Sequence, residues 1–224
     1  MSLYYNVARM SDPSPRSAVR RHPERGDYDR ETIDAILDEA VYCHVGFAVD
    51  GQPFVIPTIH ARVGDVLYLH GSPASRLLQR LAGPIEVCVT ATILDGLVLA
   101  RSVYNHSMNY RSAVVFGRAR AVEEREEKLA ALEAVSEHVV RGRWADARLP
   151  SEKELAGTRV LAVAIEEASA KVRSGPPGDF EADVPLPVWA GVIPLHVVAG
   201  APETDERVPE GVRVPDYALT YERT

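Results

Sequence analysis

Between residues 43 and 122 apolar and polar positions alternate in short runs broken by Gly, Asp and Pro, the period of strands with unequal faces. Val45, Phe47 and Val49 alternate with His44, Gly46 and Ala48, and Asp50-Gly51 supplies the positive-φ residues of a tight hairpin. The return strand over 54–63 puts Val55, Ile59, Ala61 and Val63 on one face, expected in the core. Thr58, His60 and Arg62 fall on the other, expected toward solvent, a ligand or a second subunit. Gly64-Asp65 closes a second hairpin. With a two-residue loop Val63 faces Val66, Ala61 faces Tyr68 and Ile59 faces His70, so His60 and His70 point to opposite faces. Residues 85–100 read as a long strand or a bent pair with a turn or bulge at Asp95-Gly96, and 110–122 as another strand with a bulge at Gly117. Residues 159–165 form a further strand. An extended segment over 169–177 carries Lys171 and Arg173 on one side, two cations suited to a phosphate or an acidic neighbour, and turns at Gly175.

Helical spacing is sparser. Ile33, Ile36, Leu37 and Ala40 mark one face of a helix running from about Asp29 to Ala40, and Leu129, Leu132, Val135 and Val139 mark a longer one over 123–140 with glutamates in its first turn. Ser151 and Glu154 have the spacing of a capping box. Ser72 suits an N-cap and Pro73 a first helical position, which predicts a short amphipathic helix to Leu81. Its first turn would present free amides, the Ser75 hydroxyl and the Arg76 guanidinium. That is an anion-holding arrangement, or else a plain helix start with a surface arginine. Residues 1–30, rich in Arg and Pro, read as an arm that is solvated, hugs a partner, or lends an arginine to a phosphate. Residues 31–197 read as the main domain and 198–224 as a polar, Pro-interrupted tail. The sum is a mainly β barrel or sandwich with peripheral helices.

Charge and composition narrow the function. A net charge of -7 over 224 residues argues against a general nucleic-acid binder. Apolar runs stop well short of the ~20 residues of a spanning helix, and the N-terminus does not resemble a secretory signal, so a cytoplasmic protein with no membrane partner is expected. Cys43 and Cys88 both lie in apolar runs, as reduced core thiols do. G-x-S-x-G, H-E-x-x-H, Walker, G-x-G-x-x-G and paired C-x-x-C signatures are missing, and the histidines show no metal-ligand spacing, so no metal is expected. His70 suits a cofactor contact or a satisfied buried histidine, and a haem axial ligand remains open for any histidine. The loop over 101–109, with His106 and Asn109, either lines a pocket or is solvated.

The run PFVIPTIHARVGDVLYLHGSPASRLLQRL is similar to the strand, hairpin and Ser-Arg helix start of the FMN-binding split-barrel superfamily, the fold of pyridoxamine 5′-phosphate oxidase. Its flavin-nucleotide-binding branch, with the Nim-type nitroimidazole-resistance proteins, is the nearest resemblance. RHPERGDYDRETIDAILDEA, NYRSAVVFGRARAV, SAKVRSGPP and LPVWAGVIPL extend the likeness over roughly residues 16 to 197. The resemblance implies a Greek-key-like antiparallel split barrel and a homodimer holding FMN in clefts at the interface. It implies that Ser75 and Arg76 hold the FMN phosphate and that Ile56, Pro57, Thr58 and Ile59 offer backbone groups to the flavin ring. His70 and Gly71 would lie beside that ring, with His70 near the reaction centre, and Arg111 and Ser112 would contact the flavin. Trp189 would reach it from the other subunit.

The implied activity is a flavin-dependent oxidoreductase passing electrons to a small acceptor such as a nitroaromatic or quinone. A non-catalytic flavin carrier or sensor, and a haem-binding or haem-degrading protein, are the alternatives. Leu77 stands where the vitamin B6 oxidases have a second basic residue, and Trp189 leads into AGVIPLH without their arginine, which argues against pyridoxamine phosphate as substrate.

Overall fold

The computed structural model describes residues 13–72 and 85–222. The predicted helix from Pro73, with Ser75, Arg76 and Leu77, lies outside the described residues. Among the described residues nine strands form one antiparallel sheet: β1 Gly26–Asp27, β2 Tyr42–Val49, β3 Gln52–Val63, β4 Val66–Gly71, β5 Ile85–Leu99, β6 Ser107–Ala121, β7 Arg159–Ala164, β8 Glu167–Arg173 and β9 Gly191–Pro194. Their order is β1-β8-β6-β7-β4-β3-β2-β5-β9, and a further β5–β6 pairing closes six of them into a barrel, with β8 and β1 flanking β6 and β9 flanking β5. This is the expected antiparallel barrel. Helices α1 Arg30–Glu39, α2 Arg125–Val139, α3 Arg143–Asp146, α4 Glu152–Ala156 and α5 Asp216–Leu219 are peripheral.

Strand alternation builds the barrel interior. Cys43, Val45 and Phe47 of β2, Leu67 and Leu69 of β4, Val87, Val89 and Ala91 of β5, and Ala113 and Val115 of β6 all turn inward and are buried. Ile33, Ile36 and Leu37 of α1 fill the same core. Each fully buried aliphatic side chain contributes about 1.5–3 kcal/mol through removal from water. A smaller cluster lies outside the wall, where Ala131 and Leu132 of α2 pack on Val66, Tyr68, Val160 and Ala162. Ser151 and Glu154 form the predicted capping box on α4.

Four expectations change. On β3 the even positions Phe54 and Ile56 pack into the core, and His60 is fully buried, whereas Val55 and Val63 are 67% and 51% exposed. The apolar pattern was ambiguous because both faces carry apolar residues, and the register with β2 decides: Val45 and Phe47, both inward, pair with Ile56 and Phe54. Gly117 is no bulge, since the β5–β6 register runs through it unbroken and shifts only between Leu94 and Gly96. At Gly117 instead β6 changes partner, from β8 at Phe116 to β7 at Ala119. A Cβ there would sit 3.0 Å from the Ala164 carbonyl oxygen. Cys88 is only half-buried and faces outward opposite Gly46, while Cys43 is fully buried and its thiol is pushed up to about 12 by burial. Lys171 and Arg173 meet carbonyl oxygens rather than acids: Lys171 donates to Arg21 at 2.9 Å and Arg173 to Gly175 and Pro176.

Candidate functional site at the split between β3 and β4

Strands β3 and β4 leave their hairpin paired, with Val63 opposite Val66, Ala61 opposite Tyr68 and His60 opposite Leu69. There the pairing stops. The expected Ile59–His70 pair is not formed: β4 continues against β7 as far as Gly71 opposite Arg159, and residues 52–59 of β3 pair with β2 alone. One edge of β3 from 53 to 59 and the facing edge of β4 at 70–71 are thus unpaired among the described residues. Unpaired strand edges offer backbone N–H and C=O groups to any ligand with a polar rim. Pro53 and Pro57 fit that edge, because proline cannot donate to a ladder. Those two prolines could have marked the split in the sequence.

The predicted site residues distribute about this opening. Ile56 and Thr58 face inward, with the Thr58 hydroxyl donating to the Ile59 carbonyl at 3.3 Å, while Pro57 and Ile59 face outward. The expected solvent- or ligand-facing surface of Thr58 and His60 is therefore corrected: His60 is fully buried, bonded through Nε2 to the Leu37 carbonyl oxygen at 2.8 Å and lying 5.0 Å from the His138 ring. His138 in turn bonds the Ala40 carbonyl oxygen at 2.9 Å. Both rings serve backbone oxygens at the end of α1, groups a helix leaves without partners.

His70 differs. It lies on the opposite side of β4 from Leu69, beside Val160 of β7. No hydrogen bond reaches its ring among the described residues, and its Nδ1 is buried. Burial pushes its pKa below the usual histidine value, so the ring is neutral near pH 7. A neutral, unengaged imidazole at the mouth of a strand opening fits an iron ligand or a contact to the polar edge of a planar ring.

Arg111 and Ser112 are neighbours on opposite faces of β6. Arg111 turns inward in line with Ile93, at the end of the barrel, and donates to both Glu39 at the end of α1 and Asp95, 2.7 Å away. Its pKa is raised by those two carboxylates. The bulge at Leu94–Gly96 aims Asp95 there, as bulges re-aim side chains. Ser112 turns outward opposite Lys171 and donates to its carbonyl oxygen at 3.3 Å. Glu39 and Asp95 had no sequence signal, being far apart in the chain. Trp189 is 64% exposed, and its ring passes so close to Gly191 that a Cβ there would lie 2.8 Å from it.

The outward faces of β3, β2 and β5 form a shared surface. Pro57 and Val55 lie beside His44 and Gly46, which lie beside Thr90 and Cys88. Tyr42, 55% exposed, packs edge-on against His44 with ring centres 5.6 Å apart. Among the described residues no helix is long and apolar enough to cross a membrane.

A similar architecture occurs in the flavocytochrome Anf3 of Azotobacter vinelandii, 41% identical over 95% of this chain and 99% of that one, with a TM-score of 0.88. The FAD and haem binding protein of Mycobacterium smegmatis is 37% identical over 86% of this chain and 95% of that one, at a TM-score of 0.82. A 5-nitroimidazole antibiotic resistance protein of Bacteroides thetaiotaomicron, so named provisionally, is 28% identical over 66% of this chain and 86% of that one, at 0.54. No curated protein matches the chain. The model of the pyridoxamine 5′-phosphate oxidase family matches residues 29–172, from the start of α1 to the end of the barrel, and the chain belongs to that family.

Proposed function

We propose that the protein is a homodimeric, cytosolic flavoprotein that also binds haem and passes electrons from the flavin to a small acceptor. The observation that carries this reading is the extent of the likeness to the flavocytochrome and to the FAD and haem binding protein. It runs over 95% and 86% of the chain and so beyond the 29–172 barrel, whereas the nitroimidazole-resistance likeness spans 66%. In this reading flavin and haem are joint cofactors rather than alternatives, and FAD joins FMN as the candidate flavin.

When bound, the flavin supplies hydride and single-electron chemistry and the haem iron supplies electron transfer or oxygen chemistry. The protein's share is to hold and orient. The free edge of β3 at Ile56, Pro57, Thr58 and Ile59 offers backbone groups to the flavin ring, Ser75 and Arg76 hold its phosphate, and Gly71 leaves room for close approach. His70 offers a neutral nitrogen to the haem iron or to the ring. Arg111 holds the barrel end rigid through its two carboxylates, Ser112 faces outward, and Trp189 reaches across to the partner copy.

Dimerisation is supported by the apolar side chains exposed in the segment after β8, where Phe180, Trp189, Val197 and Val198 are all exposed, a surface that association with a second copy would cover.

The visible spectrum of the protein as isolated tests the proposal, with the flavin released by denaturation and identified by mass. Flavin bands with a Soret band, the latter lost in His70→Ala, are expected. Colourless protein that takes up neither added flavin nor haem would overturn it. Bound flavin that no donor reduces and no acceptor reoxidises would favour the carrier reading.

A further inference from the structure

A second concave site lies against β6 and β8. The segment over 14–21 crosses the outward face of β6 and β8 and leaves a groove of about 290 Å³ beneath it. The crossing is pinned at both ends. At one end the Ser14 hydroxyl and the Arg16 guanidinium both donate to Glu167 of β8, and Arg16 also lies 5.1 Å over the Phe116 ring. At the other, Gly26 and Asp27 pair with Lys171 and Ala170, and the Val19 N–H donates to the Tyr28 hydroxyl at 2.9 Å.

Between these anchors the segment carries Arg20 and Arg21 to the rim, facing Lys171 of β8. Lys171 donates to the Arg21 carbonyl oxygen at 2.9 Å, which leaves two of its three N–H groups. Arg20 reaches only the Pro15 carbonyl oxygen, at 3.3 Å, and the Arg21 guanidinium has no hydrogen bond or ion pair among the described residues. Among the described residues no carboxylate lines the groove. The carboxylates of Glu167 and Glu86 are already engaged: Glu167 holds Ser14 and Arg16, and Glu86 holds Arg118. Ser112 and Ser169 add hydroxyls to a floor that Val114 and Phe116 make apolar. In a chain of net charge -7, three cations converging on one concavity without an acid need a counter-charge from outside. Guanidinium forks and an ammonium beside hydroxyls match the oxygens of phosphoryl groups, and the apolar floor suits the organic part that carries them.

We propose that this groove is a binding site for the diphosphate of a dinucleotide, with Arg20, Arg21 and Lys171 as its anion-holding residues. The dinucleotide meant is a nicotinamide dinucleotide serving as electron donor, since the phosphate of the flavin itself is assigned to Ser75 and Arg76. The inference rests on the flavoprotein reading for the identity of the ligand, and its charge chemistry stands without it.

The test uses the full-length protein as isolated, titrated calorimetrically with inorganic pyrophosphate, alongside Arg21→Gln, Lys171→Gln and the conservative Arg21→Lys. Arg148→Gln, at an arginine paired with Glu154 elsewhere on the surface, controls for net charge. Pyrophosphate is expected to bind the parent protein and to compete with NADH or NADPH. Affinity then falls about tenfold in each Gln variant, as loss of one charged hydrogen bond predicts, is partly kept in Arg21→Lys and is unchanged in Arg148→Gln. No pyrophosphate binding by the parent protein, or binding that ignores the Gln substitutions, overturns the site. Neither result bears on whether the barrel holds a flavin ring, which the spectrum reads separately. Thermal melts of each variant establish that the comparison is between folded proteins.

Discussion

His60 and His70 stand on adjacent strands on either side of the point where β3 and β4 part, and they have opposite fates. His60 is the last β3 residue paired with β4, turned inward, fully buried and bonded to the Leu37 carbonyl oxygen. His70 is the first β4 residue past the pairing, turned to the other face, with its ring unengaged among the described residues and a depressed pKa. A buried ring that bonds the backbone through one nitrogen is anchored by the fold. One that bonds through neither gains no such anchor, and its retention points to a ligand. The same residue type ten positions apart is thus a structural bond in one place and a candidate ligand in the other.

The comparison breaks first on stability. His60→Ala empties a fully buried site and strips the Leu37 carbonyl of its partner, for an expected loss of about 3 kcal/mol. His70→Ala should cost under about 1 kcal/mol while removing the Soret band. Urea unfolding of both variants checks this, and equal losses would dissolve the distinction.

Gly117→Ala tests the place where β6 changes partners. Its Cβ would meet backbone oxygen at 3.0 Å, and overpacking against a strand should cost about 1–3 kcal/mol in the same assay. A neutral result would mean that β7 yields easily there.

Inward and outward faces can also be compared at neighbouring positions. Arg111→Met leaves Glu39 and Asp95 without their shared cation. Because all three side chains are about a third exposed, solvent screening limits the loss to about 1–2 kcal/mol. Ser112→Ala should fall within about 0.5 kcal/mol of the parent protein. Similar costs at the two positions would mean that the alternation of β6 has been misread.

The smallest effect is a pH dependence. The folded-state pKa of His70 lies below its unfolded value of about 6.5. The unfolded chain therefore takes up the proton first, and stability falls as pH drops below about 6.5, levelling off once the folded pKa is passed. His70→Gln should flatten that decline by a fraction of a kcal/mol per pH unit, measured from urea midpoints between about pH 7.5 and pH 5. An unchanged slope would place the acid sensitivity in other groups.

Local patterning was enough for much of the architecture. The hairpins at Asp50-Gly51 and Gly64-Asp65, the helix from Arg30, the bulge beside Asp95 and the capping box at Ser151 depend on residues within a few positions of one another, so their chemistry is visible in the string. The inward face of β3 was not visible. Phe54 and Ile56 compete with Val55 and Ile59, and only pairing with β2 settles which set meets the core.

The candidate site divides in the same way. Its strands, its prolines and His70 could be named from the chain, because edge prolines and strand-end histidines carry their meaning locally. The opening itself arises from pairing that ends at His60 and Leu69 while β4 continues along β7. The clamp on Arg111 joins a helix end, a bulge and a mid-strand position across more than fifty residues. The cationic groove exists because a segment near the N-terminus is laid across β6 and β8. Contacts between distant parts of the chain leave no local periodicity, since what brings those residues together is closure of the barrel and not the order of the amino acids around each one.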